Sequence, residues 1–360
     1  MNLLYKEDWE ETKERYKAWW AGDPIGRCGL WVIAPRAKPF DVPEPPPAPK
    51  TPEARWTDLD YISACNEHGH AHTFYGGEAF PVWASGYPGH KCLPAFLGCR
   101  VDLAFDTGWV QPMFTGEDFD CSGLALDERN PRFQYAIREQ ERAAAEARGK
   151  SIPAICTALG GSGDSLAWLR GSERLLYDVV DRPGRVLAAE MHLMDLWIQA
   201  YDRFYNIARE AAEGSTTWYP LWAPGRFYSP QNDFAYMISP KTFRDLFLPS
   251  IEKQLDHLDY AVYHVDGEGN FNHIDALCEL TKLRALQILP GTGKPSPLHY
   301  MPILKKVQAA GMGLDLFIGP NEVETALREL SARNLFIHTY AGSEDDANRL
   351  LKNAEKWSHD

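Results

Sequence analysis

The sequence predicts an α/β protein built as a single (β/α)8 TIM barrel with insertions in its N-terminal third, and three observations carry that expectation. Short apolar runs, suited to strands covered on both faces, alternate with longer amphipathic stretches. Eight such runs occur, each followed by a helix or a helix-containing insertion. The 360 residues exceed the about 250 of a plain barrel and stay within the range that insertions reach. A doubly wound open sheet is the alternative, but no GxGxxG fingerprint follows the first apolar run.

Each element has its own reason. Trp9, Tyr16, Trp19 and Trp20 recur at helical spacing and read as a packing stripe. The first strand is Leu30–Ala34. PEPPPAPKTP at Pro43–Pro52 is too proline-rich for a helix or a central strand, so residues 35–57 read as an extended surface loop. Too little chain precedes it for a domain boundary, and residues 1–360 are expected to form one domain. The second strand is Ala79–Trp83, and alternation within residues 99–127 predicts a hairpin inserted after it. Ile152–Thr157 is the third strand. The helix Pro183–Glu213 shows Tyr201, Phe204, Tyr205 and Ala208 at three-four spacing, and Thr216–Trp222 is the fourth strand. Ser239–His257 opens with Ser-Pro, a cap followed by proline in the first turn, and puts Phe243, Leu246, Phe247 and Ile251 on one face. The last strands are Ala261–His264, Ala285–Leu289, Leu314–Ile318 and Leu335–His338. Helices follow at Pro302–Ala310, Asn321–Leu330 and from Ser343 to about Trp357.

Composition removes several classes. With 37 basic and 50 acidic residues the net charge is −13, which argues against a sequence-independent grip on nucleic acid. Hydrophobic residues at 44% and charged residues at 24% exclude disorder, coiled coil and collagen as whole-chain descriptions. No apolar run approaches the about 18 residues of a membrane span, and charges recurring from Lys6 do not suit a secretory signal. The seven cysteines are odd in number and form no CxxC, so reduced thiols in a cytoplasmic protein are expected rather than disulfides or a zinc ribbon.

In such a barrel the chemistry gathers at the carboxyl ends of the strands. Those ends offer Arg36, then Glu78, Tyr87 and His90, then Ser162 and Asp164. They also offer Trp222, Arg226, Tyr228, Gln231 and Asp233, then His264, Asp266, Glu268 and His273, with Gln287, His338 and Tyr340 on later strands. The densest cluster is YHVDGEGNFNH, Tyr263–His273. His264 and Asp266, two apart on an extended segment, point to one side and suit a pair of metal ligands or a base and its partner. Gly267 and Gly269 would let the backbone turn tightly beneath a ligand. A polar turn with a structural His264 is the plain reading of the same residues. In WAPGRFYSPQNDFAYMISP, Trp222–Pro240, Asp233 suits an acid, a base or a substrate anchor, and Arg226 an anion clamp, against a mutual ion pair. GGEAFPVWASGYPG, Gly76–Gly89, could line a pocket with Glu78 and Tyr87. LGGSGDS, Leu159–Ser165, resembles a phosphate-cradling turn but lacks GK[ST], and a helix-capping loop explains it as well. Abundant aromatic residues near carboxylates also fit a sugar cleft with paired acids.

GSGDSLAWLRGSERLLYDVVDRPGRV, ISPKTFRDLFLPSIEKQLDHL and YHVDGEGN resemble the uroporphyrinogen decarboxylase superfamily, which includes corrinoid-dependent methyltransferases. The resemblance runs from about residue 152 to 357, with GCRVDLAFDTGW a weaker echo upstream. It implies a (β/α)8 barrel, consistent with the strand count. In the methyltransferase branch a His-x-Cys pair and a later Cys hold zinc. Here His264 matches, Asp266 stands where the Cys would, and LFIHTYAG has none. The decarboxylase branch grips substrate carboxylates with an arginine-rich N-terminal segment, where this chain supplies Arg36 and Arg27.

The resulting expectation is a cytoplasmic transferase for metal-assisted methyl transfer or demethylation of a small polar molecule. His264 and Asp266 would bind a divalent metal such as zinc, with Glu268 or His338 as a third ligand. Asp233 would act as acid, base or anchor. Glu78, Tyr87, Trp222, Arg226, Gln231, His338 and Tyr340 would contact substrate, and a partner protein would carry a corrinoid. The alternatives are a glycoside-acting hydrolase or lyase, a decarboxylase of a tetrapyrrole-like substrate, and a non-catalytic ligand-binding barrel.

Overall fold

β-Branched and aliphatic runs flanked by turn residues become strands, and a computed structural model of the chain, describing residues 2–86, 89–156 and 158–359, contains eleven among those residues. They are β1 Gly29–Pro35, β2 Thr73–Gly77, β3 Val82–Trp83, β4 Val101–Leu103, β5 Gly108–Val110, β6 Ile152–Pro153, β7 Phe227–Tyr228, β8 Tyr260–Asp266, β9 Ala285–Leu289, β10 Gly313–Phe317 and β11 Leu335–Tyr340. Seven form one sheet in the order β2-β1-β11-β10-β9-β8-β7, parallel throughout except for β2, which runs antiparallel to β1. The central strands are buried on both faces, as their apolar runs require.

The rest of the chain spans the distance between the sheet's two ends. Glu78 donates its backbone N–H to Leu30, β3 pairs in parallel with β6, and Ala154 forms a parallel bridge with Thr216. From there the contact is made by a side chain: Phe227 N–H donates to Ser215 Oγ at 2.9 Å. The expected fourth strand, Thr216–Trp222, is corrected to β7. Pro220 interrupts that run, removing a donor and fixing φ. The second is reduced to Val82–Trp83 because Pro81 precedes it, and the third to Ile152–Pro153, with Thr157 outside the described residues. β2 was not foreseen, since TFYGG carries no alternation.

The hairpin within 99–127 is formed by β4 and β5, with Val101 opposite Val110. Residues 36–51 lack helix and strand, and a short helix, Pro52–Thr57 capped by Thr51, ends that loop earlier than expected. The expected helix Ser239–His257 is two, Pro240–Leu246 and Leu248–His257. Pro249 cannot donate back to the preceding turn, so the helix breaks at Phe247. The stripe on the helix Trp9–Ala21 closes the amino end of the strands. Trp9, Tyr16, Trp19 and Trp20 are buried against Phe80, Trp222, Phe227, Tyr260 and Phe336. The opposite, carboxyl end is left for solvent. No helix of the described residues is long and apolar enough to cross a membrane.

Candidate functional site

Register decides which side chains face inward. His264, Gln287, Asp315 and Phe336 are successive neighbours across β8, β9, β10 and β11, so they share one face. Asp266, two residues on from His264, lies on that face nearer the carboxyl end. His264 Nδ1 bonds the side-chain oxygen of Gln287, which places the proton on Nδ1 and leaves the Nε2 lone pair free. That Nε2 lies 4.0 Å from Asp266 Oδ2. Burial lowers the His264 pKa below its ordinary value, against the opposing effects of Gln287 and Asp266.

The third member comes from the loop after β7. Asp233, His264 and Asp266 each turn one ligand atom inward, and these atoms all lie within 4.8 Å of one another. The loop is held from below by Asp164, a buried carboxylate that accepts from the backbone N–H of Asp233 at 2.7 Å, from Phe234 at 3.2 Å and from Gln231 Nε2 at 2.8 Å. LGGSGDS is therefore not a phosphate cradle. Gly163, at φ +74°, brings its loop so close that a Cβ would lie 2.1 Å from Asn232 Oδ1, and its N–H donates to Glu190 at 3.0 Å. Glu190 also accepts from Ser162 and Ser250, both at 2.9 Å.

Four carboxylates, Glu190, Asp164, Asp233 and Asp266, thus stack from the interior to the mouth, and the first three are pushed above the usual carboxylate range. Burial, then the charge of Asp233, pushes Asp164 up to about 7. Partial desolvation, then Asp266, pushes Asp233 up to about 6. Burial pushes Glu190 up to about 7. The adjoining cavity, about 360 Å³, is lined by Trp168, Trp218, Tyr228, Gln231 and His264, with Ala84, Gly86, Ala158 and Gly160, and neither Lys nor Arg is among them. Trp218 meets the His264 ring edge-on at 5.0 Å.

Several expected site residues serve elsewhere. Glu78 is buried in a bidentate pair with Arg27, with Arg15 and the Leu30 N–H completing its bonds. Burial favours its neutral form, but these partners outweigh burial and hold it below the usual carboxylate range. Trp222 is part of the aromatic plug at the amino end, and its indole N–H donates to Ala212. Arg226 directly precedes β7, at the end away from the cavity, with Nε 3.5 Å from Asp202 and the guanidinium over Tyr205. Glu268 turns outward to Tyr300 and Lys294 instead of joining Asp233, His264 and Asp266. His338 faces inward but pairs with Asp315 at 3.1 Å, stacked on Phe317. Tyr340 is exposed at the end of β11, and Tyr87 lies outside the described residues. Gly267 and Gly269 make room for the Tyr236 ring, which Cβ atoms there would meet at 3.0 and 2.7 Å. His273 bonds the Ala235 carbonyl and Arg36 the carbonyls of Tyr5 and Thr73, both structural uses.

Reading the sequence missed Glu190, Trp168, Trp218 and Asp315. A signal existed for Glu190: it falls with Val186, Ala189, Leu193 and Met194 on the buried stripe of the helix Pro183–Ala212. Asp315 is likewise an acid inside an apolar strand.

No family model matches the chain, and no curated protein does. Among solved structures it is similar to a methyltransferase from Methanosarcina mazei, at 13% identity and a TM-score of 0.56, over 96% of this chain and 98% of that one. At that identity the likeness shows a shared fold: a mixed α/β architecture with a parallel sheet and many helices.

Proposed function

We propose that the chain is a metal-assisted enzyme of methyl transfer or demethylation acting on a small molecule. In this reading the sheet and the segments that link its ends make a (β/α)8 barrel, and the work is done at its carboxyl mouth. One observation carries it: Asp233, His264 and Asp266, from two different segments, converge beside a cavity with no side-chain cation among them. Donors sharing one ion at about 2.1 Å can stand no more than about 4.2 Å apart. A limit of 4.8 Å here is within a small adjustment of two solvent-accessible carboxylates. Two oxygens and one nitrogen suit a borderline or hard divalent ion, zinc or manganese, better than the sulfur-rich set of the methyltransferases the sequence resembles. Such an ion supplies a Lewis acid that polarises substrate or lowers the pKa of an attacking group.

The chain's own residues fix the site around it. Gln287 holds the His264 tautomer, and Asp164 fixes the backbone that presents Asp233. The fold shared with a methyltransferase and the resemblance of residues 152–357 support transfer over hydrolysis. In this reading a corrinoid on a partner protein takes the methyl group. Ile33, Phe317 and Tyr340, exposed at the ends of β1, β10 and β11, offer an apolar rim for it. A tetrapyrrole rich in carboxylates finds no counterpart charge among the described residues that line the cavity, and Arg27, Arg36 and Arg226 are all engaged away from it. Elemental analysis and metal titration of the purified protein test the reading. Near-stoichiometric metal is expected, with affinity down at least 100-fold in His264→Ala and Asp266→Ala. Equal metal content in wild type and both variants would overturn it.

A further inference from the structure

A second cavity, of about 230 Å³, lies at the amino end of the sheet, away from Asp233, His264 and Asp266. Four segments wall it. The helix Trp9–Ala21 brings Trp19, the turn into β1 brings Asp23 and Arg27, the turn into β11 brings Arg333 and Asn334, and Ser358 follows the helix Glu344–Trp357. Backbone bonds tie these walls: Gly22 N–H donates to the Trp19 carbonyl at 3.1 Å and Ala332 N–H to that of His359 at 2.7 Å.

The charges around this cavity do not balance. Arg27 is spent in its bidentate pair with Glu78. Arg333 is exposed, and its guanidinium has no ion-pair partner among the described residues. Arg284, just before β9, stands behind the same wall. Its guanidinium lies 5.0 Å from the centre of the Trp19 ring, its Nε donates to the Trp19 carbonyl at 2.8 Å and its Nη2 to Asn334 Oδ1, all neutral partners. Burial, then the charge of Arg333, pushes its pKa down to about 10. Asp23, the one acid among the described residues of the walls, is exposed and pairs with neither. Two neutral donors are idle as well. Trp19 is 3% exposed and its indole N–H has no acceptor, and Ser358 Oγ is out of solvent without a partner among the described residues. A buried donor without an acceptor is a standing cost.

An anion with several acceptor oxygens answers both needs, since it pairs with guanidiniums and accepts from neutral donors. Two positive charges favour a divalent anion over a monovalent carboxylate. The volume falls below the about 300 Å³ at which pockets for larger organic ligands begin.

We propose that this cavity is a site for a small divalent oxyanion, phosphate or the phosphoryl group of a small phosphomonoester, held by Arg333 and Arg284 with Trp19 and Ser358 as further donors. It is independent of the metal and of methyl transfer. Its occupant ties the entrances of β1, β9 and β11 to the helix Trp9–Ala21, so binding stabilises the fold by mass action.

The test is calorimetric titration of the full chain with inorganic phosphate, glycerol 3-phosphate and acetate at low ionic strength, with thermal melting alongside. Saturable phosphate binding at one site is expected, with a rise in melting temperature, and acetate at least about tenfold weaker. Arg333→Gln should weaken phosphate at least about tenfold, the effect of losing a hydrogen bond to a charged group, and should remove the thermal shift. Arg333 is exposed, so the variant should fold, and near-UV circular dichroism checks it. Arg203→Gln, a surface control paired with Glu128 elsewhere, should bind phosphate as the wild type does. Tighter glycerol 3-phosphate would identify an organic phosphomonoester as the ligand, and equal or weaker binding the free ion; either supports the site. Asp266→Ala should keep the phosphate affinity. Phosphate lost in Asp266→Ala and kept in Arg333→Gln would place the anion at the carboxyl mouth and overturn the proposal. Equal affinity for acetate, equal weakening in Arg203→Gln, or no phosphate binding at millimolar concentration would overturn it too.

Discussion

A buried acid without a cation is a standing cost unless it is neutral, and Glu190 illustrates how one residue sets a pH response. Its partners are two hydroxyls and one backbone N–H, so burial prevails and its pKa rises to about 7 from the ordinary 4.5. The native state then holds a proton that the unfolded state has released. The stabilisation from neutral Glu190 is complete below about 4.5 and is lost as pH rises through about 7. Its contribution to the slope is at most about 1.4 kcal/mol per pH unit. In Glu190→Gln that part of the slope disappears, so denaturant unfolding at pH 5.5 and pH 8 should show the variant gaining on the wild type at the higher pH. Parallel pH dependence in the two proteins would show that Glu190 is charged throughout or paired otherwise. Residues like this one are hard to read in a linear sequence. Glu190 was missed although it falls on an apolar stripe, and which loop it serves is not encoded locally, because Ser162 and Ser250 reach it only through tertiary packing.

Elements were legible where one period or one cap dominated. Ala285–Leu289 and Pro183–Ala212 were foreseen almost to the residue because a five-residue run with four apolar residues and an eight-turn stripe admit no competing pattern. The prolines 81, 220 and 249 account for the misplaced second and fourth strands and the split helix. Asp233, His264 and Asp266 could be nominated, but their meeting depends on the loop after β7, whose shape is set by the glycine loop below it. That dependence gives a prediction. Gly163→Ala adds a Cβ at positive φ and drives it into Asn232, whose side chain caps the turn Asp233–Met237 by accepting from Ala235. The conformational strain is about 1–2 kcal/mol before any clash. The variant should lose at least that much stability and bind metal at least tenfold more weakly, because the Asp233 backbone must shift. Gly184→Ala, in a helix with nothing near its Cβ, should be neutral or gain up to about 1 kcal/mol. Metal affinity unchanged in folded Gly163→Ala would show that the glycine loop does not position Asp233.

At the scale of the whole molecule the two ends of the sheet do opposite jobs. The amino end is sealed by rings: Trp9 lies 5.2 Å from Phe80 and 5.7 Å from Trp222, fully out of solvent. The carboxyl end collects like charges that cost stability, as functional sites do. The amino end was the easier to read, since a tryptophan stripe at helical spacing has one use, while the carboxyl end needed register and loop geometry that no local pattern encodes. If stability and chemistry are divided in this way, substitutions at the two ends should separate them. Trp9→Ala removes a buried ring and should cost about 3–5 kcal/mol of unfolding free energy. Its metal affinity should stay within about threefold, because distant sites without shared partners behave additively. Asp266→Ala should do the reverse, abolishing tight metal binding while raising the melting temperature of the metal-free protein, since it removes a charge beside Asp233. Chemical denaturation and metal titration on the same two variants read both axes at once. Loss of metal affinity in a folded Trp9→Ala, or a metal-free Asp266→Ala that melts below the wild type, would mean that the plug and the mouth are one cooperative unit, and that the acids at the carboxyl end help to hold the fold.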